Sequence, residues 1–310
     1  MPYAALKKRL DRGDIVILDG ATGTELQRRG VAMDPSAWCG VASLDNQALL
    51  TEIHADYITA GAEVITANTY ASARVVLQQA GYGDKTEEIN CNAVEAALRA
   101  RDAAGRDVVV AASLSHLVVF TGKEMPPERM PSEEEAAESF RELAQILKAA
   151  GAELLLLEMM YHPTRTPKVV EAALASGLPV WFGLSARRGV DGRLLSFYSQ
   201  ADIPLSEIVA MIPERGIDAA GCMHSGAEIT GEALKAIRKR FKGPLTAYPD
   251  SGYFEMPDWN FHDVIAPQRL EEFYLDWLDQ GAQVIGGCCG LTVEHVKAAV
   301  RARDRFHDAL

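Results

Sequence analysis

Eight short, almost continuously apolar runs recur along the chain, separated by longer segments that read as helices. The runs span 14–19 (DIVILD), 63–67, 107–112, 153–157, 179–184, 217–221, 244–247 and 283–286. Apolar residues on both faces of a strand fit a parallel sheet covered by helices better than a half-wet antiparallel one. Glycines at 61, 151, 177, 216, 243 and 281 precede several runs, where a glycine can end a helix. Helices are expected over 44–60, 87–104, 132–150, 230–241, 267–280 and 292–303, the last capped by Thr292 with Glu294 in its first turn. Eight βα units with right-handed crossovers predict a (β/α)₈ TIM barrel, with an open doubly wound sheet as the alternative. No linker divides the chain, so one domain over 1–310 is expected. Two connections are long: 121–135, rich in Pro and Glu, and 250–267, which is aromatic and lid-like.

Composition narrows the function classes. Of 310 residues 48% are apolar, enough for a substantial core. A net charge of −12 argues against nucleic acid, whose binding needs clustered Lys and Arg. No apolar run is long enough for a membrane span, and the N-terminus lacks a signal-peptide core, so a cytoplasmic protein is expected. Five cysteines in a reducing compartment do not suggest a disulfide framework.

In parallel barrels the chemistry sits where strands end. Asp19 ends the first run and Thr22 follows it, Asn68 and Tyr70 follow the second, and Glu158 the fourth. Cys222, Met223 and His224 follow the sixth, Tyr248 and Asp250 the seventh, Cys288 and Cys289 the eighth. Gly286, Gly287 and Gly290 flank the cysteine pair and let the backbone turn sharply, bringing both sulfurs toward one point. A catalytic zinc takes three protein ligands and keeps one open position. Cys288 and Cys289 supply two, and Cys222 or His224 can supply the third. A buried or redox-active thiol pair without metal is the competing reading.

These residues resemble the homocysteine S-methyltransferase family. The likeness rests on the stretch LDGATGTEL at 18–26, Asn68-Thr69-Tyr70, Glu158, Tyr248-Pro249-Asp250-Ser251-Gly252 and Gly286-Gly287-Cys288-Cys289-Gly290, and it covers essentially the whole chain. The resemblance implies a zinc-bearing (β/α)₈ barrel and methyl transfer from a small onium donor to homocysteine or a related thiol. It implies Cys288 and Cys289 as zinc ligands, and Asp19 and Glu158 as holders of the substrate ammonium. Backbone N–H groups around Gly20, Ala21, Thr22 and Gly23 would cradle the carboxylate. The family's third ligand is a cysteine, and here that position holds His224, with Cys222 two residues earlier. Period-two alternation would let both face the same way if the strand extends that far. Met223 and Asp250 each stand where the family has asparagine, and Met159 where it has threonine.

Tyr70, Tyr253, Phe254 and Trp259 form a candidate cation–π pocket for the donor, and Asp250 can add attraction for a cation. His295 reads as structural, His116, His162 and His262 as weak candidates, and Cys39 and Cys91 as bland. The altered third-ligand segment keeps two further readings open: a metal-free small-molecule binding protein and a thiol redox sensor. Oligomerisation is left open.

Overall fold

Side chains alternate across each strand, and the eight apolar runs put one set of residues inside a closed sheet and the other beneath the helices. The computed structural model describes residues 3–118, 130–255 and 260–309. Its sheet strands are β1 (Val16–Ile17), β2 (Val64–Ala67), β3 (Val109–Ser115), β4 (Leu154–Met160), β5 (Val180–Leu184), β6 (Ala219–Gly226), β7 (Leu245–Asp250) and β8 (Ala282–Ile285). All sheet pairings are parallel, and the order runs β1-β8-β7-β6-β5-β4-β3-β2. A parallel bridge from Leu18 to Val64 joins the first strand to the second. The fold is the expected (β/α)₈ barrel, not an open sheet.

Two cores follow from the alternation. Val16, Val64, Val109, Leu154, Leu156, Trp181, Ala219 and Val284 share the barrel interior. Ile17, Ile65, Val110, Leu155, Phe182, Ala220 and Ile285 pack in the outer layer with the helices. The N-terminal segment, for which no element was expected, is a helix over Tyr3–Asp11 whose Leu6 and Leu10 join the interior cluster. Its Tyr3 hydroxyl donates to Asp218 at 2.8 Å and accepts from Trp181 Nε1 at 2.9 Å. Trp181→Ala removes the largest interior side chain and that hydrogen bond, and is expected to cost about 3–5 kcal/mol in urea unfolding. A loss under about 1 kcal/mol would mean that the interior closes over the gap.

The strands also extend further toward the mouth than the apolar runs suggest. β3, β4, β6 and β7 continue through residues expected to follow them, including Glu158, His224 and Tyr248. Register shifts interrupt β4 between Leu157 and Met160, and β6 opposite β7 between Met223 and Gly226. Each contains a non-glycine residue at positive φ: Met159 at 56° and His224 at 41°. Such irregularities re-aim side chains at barrel rims. Of the long connections, 250–267 contains a hairpin pairing Tyr253–Glu255 with Asn260–His262. Residues 121–129 of the other lie outside the described residues, and the helix expected after it is present over Glu133–Ala149, capped by Ser132 through a capping box with Glu135. A second hairpin, Ala186–Arg188 with Leu194–Ser196, follows β5 and was not expected. Among the described residues no helix is long and apolar enough to cross a membrane.

Candidate metal centre and substrate pocket

The glycine-flanked cysteine loop is fixed by its backbone. Cys288 N–H donates to Pro249 O at 2.8 Å, Ser251 N–H to Cys289 O at 3.0 Å, and Gly290 N–H to Thr24 Oγ1 at 3.1 Å. Gly290 sits at φ 79°, where a Cβ would lie 2.1 Å from Ser251 O, so only glycine fits. The turn leaves the Cys288 and Cys289 sulfurs 3.9 Å apart and Cys288 Sγ 3.5 Å from His224 Nδ1. The three donor atoms all lie within 4.8 Å of one another. A tetrahedral zinc, with Zn–S ~2.3 Å and Zn–N ~2.0–2.1 Å, sets its ligands ~3.8 Å (S to S) and ~3.6 Å (S to N) apart. The donor set therefore fits zinc in both chemistry and spacing.

Cys222 is not part of this cluster. It is fully buried in the outer, helix-side core, while Met223 joins the barrel interior and His224 lines the mouth. The register shift after Met223 breaks the period-two alternation that would have aligned Cys222 with His224. Burial pushes the Cys222 thiol up to about 12, against hydrogen bonding with Ser225 and Thr230. The alternative third ligand is thus corrected: His224 is the residue that reaches the pair.

Beside the cluster lies a cavity of about 560 Å³, a volume ordinary for a small-molecule site. Asp19, Gly20, Ala21, Thr22, Gly23, Asn68, Tyr70, Glu158, Tyr248 and Asp250 all line it, together with His224, Cys288 and Cys289. Gly20 and Ala21 lead into a helix over Thr22–Arg28, so its first backbone N–H groups start at the pocket wall. Asp19 accepts from Thr66 N–H at 2.6 Å and Thr66 Oγ1 at 3.0 Å. Burial raises its carboxyl to about 7 against those two bonds, and the charge of Glu158 adds to the rise. Glu158 accepts a short hydrogen bond from Ser113 Oγ. Burial lifts it also to about 7, opposed by Ser113 and by His224. Two carboxyls raised this way in one pocket favour a cationic ligand, whose charge would return them to carboxylates.

Asn68 holds the wall together. Its Nδ2 donates to Cys39 O at 2.8 Å and to Ser43 Oγ at 3.3 Å, and its Oδ1 accepts from Cys39 Sγ at 3.1 Å. Tyr248 is buried, and its hydroxyl has no hydrogen-bond partner among the described residues. Tyr70 donates to Met159 Sδ at 2.9 Å and meets Trp38 edge-on at 6.3 Å. Tyr253 lines the rim, half exposed. Trp259 and the Phe254 side chain lie outside the described residues.

Several lining residues carry no motif in the sequence: Trp38, Cys39, Tyr161 and Phe197. Met159 and Met223, at altered motif positions, line the pocket too. Met223 Sδ accepts from Met159 N–H at 3.1 Å and Ser185 Oγ at 3.3 Å. Phe197 follows the unexpected hairpin, and its ring lies 5.4 Å from that of His224. Three further histidines are held away from the donor cluster. His295 closes a capping box with Thr292 and pairs through Nε2 with Ile265 O at 2.8 Å. His116 is buried against Tyr161, and His162 Nδ1 accepts from Thr164 N–H at 3.3 Å. Around the cluster itself, Cys289 and burial push the Cys288 thiol well up, against the pull of His224. Burial works against a charged His224, but Asp250 and Cys288 outweigh it and lift the ring to about 9.

A (β/α)₈ barrel with sulfur and nitrogen donors converging on a carboxylate- and aromatic-lined pocket at one mouth has the architecture of a barrel enzyme. A homocysteine S-methyltransferase family model matches residues 16–303. The chain therefore belongs to the homocysteine S-methyltransferase family and is a methyltransferase of that type. A homocysteine S-methyltransferase of Escherichia coli (strain K12) is 30% identical over 96% of this chain and 98% of its own length. A selenocysteine Se-methyltransferase of Brassica oleracea var. italica is 24% identical, covering 96% of this chain and 91% of its own. The crystal structure of the homocysteine methyltransferase MmuM from Escherichia coli in metallated form superposes with a TM-score of 0.73 at 25% identity. That match covers 97% of this chain and 99% of the other.

Proposed function

We infer that the protein transfers a methyl group from a small onium-type donor to the thiol of homocysteine or a related small thiol, using zinc held by His224, Cys288 and Cys289. The observation that carries this reading is the spacing of the three donor atoms: Cys288 Sγ lies 3.5 Å from His224 Nδ1 and 3.9 Å from Cys289 Sγ, and all three lie within 4.8 Å of one another. When bound, zinc supplies acidity, lowering a thiol's pKa so that its sulfur is a nucleophile at neutral pH.

The chain's own residues do the rest. Asp19 and Glu158 bind the acceptor's ammonium, and the backbone around Gly20, Ala21, Thr22 and Gly23 meets its carboxylate. Tyr70 and Tyr253 present ring faces to a cationic donor, with Trp38, Tyr161 and Phe197 completing an apolar wall. That wall excludes water and holds the donor's methyl carbon in line with the acceptor sulfur. The methyl's bond to the onium atom breaks as the new carbon–sulfur bond forms, and the donor leaves neutral.

Metal analysis of protein purified without chelator tests the reading. About one zinc per chain is expected, and none even after reconstitution would leave a metal-free binding protein or a thiol sensor. The histidine ligand makes a second test. His224→Cys adds a thiolate to the donor set, and sulfur nucleophilicity rises ~3-fold per unit of basicity. The variant is expected to keep zinc and methylate ~3–10-fold faster. A slower variant with intact zinc counts against this electronic account.

A further inference from the structure

We propose that Asp250 is the positioning residue for His224, taking a hydrogen bond from its Nε2–H and so presenting Nδ1 to the metal. The assignment rests on the zinc reading above.

The geometry separates the two ring nitrogens. Nδ1 faces Cys288 Sγ at 3.5 Å, and Nε2 lies 3.7 Å from Asp250 Oδ2, an ion-pair separation that a shift of a few tenths of an ångström would turn into a hydrogen bond. One edge of the imidazole thus belongs to the donor cluster and the opposite edge to a carboxylate. The arrangement is built by the backbone. Gly226 of β6 pairs with Asp250 of β7, and the register shift after Met223 places His224 between the two paired positions. His224 holds φ 41° there, a conformation that costs a non-glycine residue ~1–3 kcal/mol and persists only when its surroundings impose it. Phe197 meets the ring edge-on at 5.4 Å and limits its rotation. Asp250 is three-quarters buried, and among the described residues no Lys or Arg pairs with it. A carboxylate this enclosed needs a partner, and His224 is the one it has.

A hydrogen bond at the outer nitrogen fixes which nitrogen carries the proton, and hence which one can bind metal. It also makes the imidazole a stronger donor, and losing such a partner typically weakens metal binding ~10–100-fold. Asp250 would then act through His224 rather than on the methyl donor, although its side chain also lines the pocket.

The test is a double-mutant cycle on the full chain, read by zinc competition against a chromophoric chelator. Asp250→Asn is expected to raise the zinc dissociation constant ~10–100-fold, and Asp250→Glu to recover part of that. In the His224→Cys background, Asp250→Asn should change zinc affinity little, because the partner ring is gone. In the zinc-loaded wild type, ¹⁵N spectra should place the His224 proton on Nε2, and Asp250→Asn should shift that resonance. Thermal melts confirm that each variant is folded. Equal weakening in both backgrounds would reduce Asp250 to a distant charge and overturn the proposal. Unchanged zinc affinity with a raised KM for the donor would assign Asp250 to the donor instead. Wild-type protein that takes up no zinc in the same titration would defeat the zinc reading itself.

Discussion

Cys288→Ser will strip most of the zinc from the protein and slow methyl transfer ~10³-fold or more, equivalent to ~4 kcal/mol of lost transition-state stabilisation. The serine oxygen is a poor ligand for a metal that prefers thiolate and imidazole here, and only His224 and Cys289 remain. Without metal, Cys289 and burial hold the wild-type Cys288 thiol well above its ordinary range, against the pull of His224. Cys222→Ser is the matched control. That residue lies two positions from His224 in sequence but in the helix-side core, so zinc content and rate should stay at wild-type values. Its cost should appear only in stability, about 1–2 kcal/mol for the packing lost in the helix-side core, since Ser225 and Thr230 beside it can pair with the hydroxyl. Inductively coupled plasma mass spectrometry and initial rates separate the two variants. Zinc-replete, active Cys288→Ser protein would remove this cysteine from the site.

Glu158→Gln is expected to raise the KM for the acceptor ~10–100-fold while zinc content stays unchanged, because a charge-assisted hydrogen bond to the ammonium becomes a neutral one. The pH dependence gives the sharper view. In the empty pocket Asp19 and Glu158 both titrate at about 7, so below that pH they are largely protonated. An ammonium requires the carboxylates, so binding at pH 6 must release protons. Affinity then rises with pH, by up to ~10-fold per unit for each proton released, and levels off above pH 7. Methionine isolates this effect, because it carries the ammonium without a thiol. Calorimetry in buffers of different ionisation enthalpy should find release at pH 6, little at pH 8, and less in Glu158→Gln. Flat affinity with no proton release would take the ammonium away from these carboxyls.

The same two groups affect the empty protein. Their folded values lie above those of an unfolded chain, so between about pH 4 and 7 the folded state holds protons that the unfolded state has lost. The stability they contribute therefore declines as pH rises through that window. On the proposed reading, an ammonium bound between them would reverse the decline by making the charged forms favourable. This tension is expected of a site where function, not stability, selects the residues.

Much of this architecture is legible in the chain. Eight runs apolar on both faces dictate parallel strands between helices, because only burial on two sides suits them. Gly286, Gly287 and Gly290 around adjacent cysteines mark a sharply turning loop that announces soft-ligand chemistry. Asp19 and Glu158 sit at strand ends, where a barrel keeps its reactive groups. All of these are local consequences of pattern and spacing.

The third donor was not a local matter. Cys222 and His224 are equally placed by sequence, and a regular strand would have turned both to the same side. A register shift of β6 against β7, with His224 at positive φ, sends one outward and the other into the mouth. The irregularity in β4 likewise brings Met159 inward beside Glu158. Phe197 and Tyr161 reach the pocket only through the hairpin after β5 and the packing around it. Periodicity fixes which face a side chain takes while pairing stays regular. Once a strand slips against its neighbour, the choice passes to tertiary packing, and in this protein the edge that gathers the three candidate metal donors lies at such a slip.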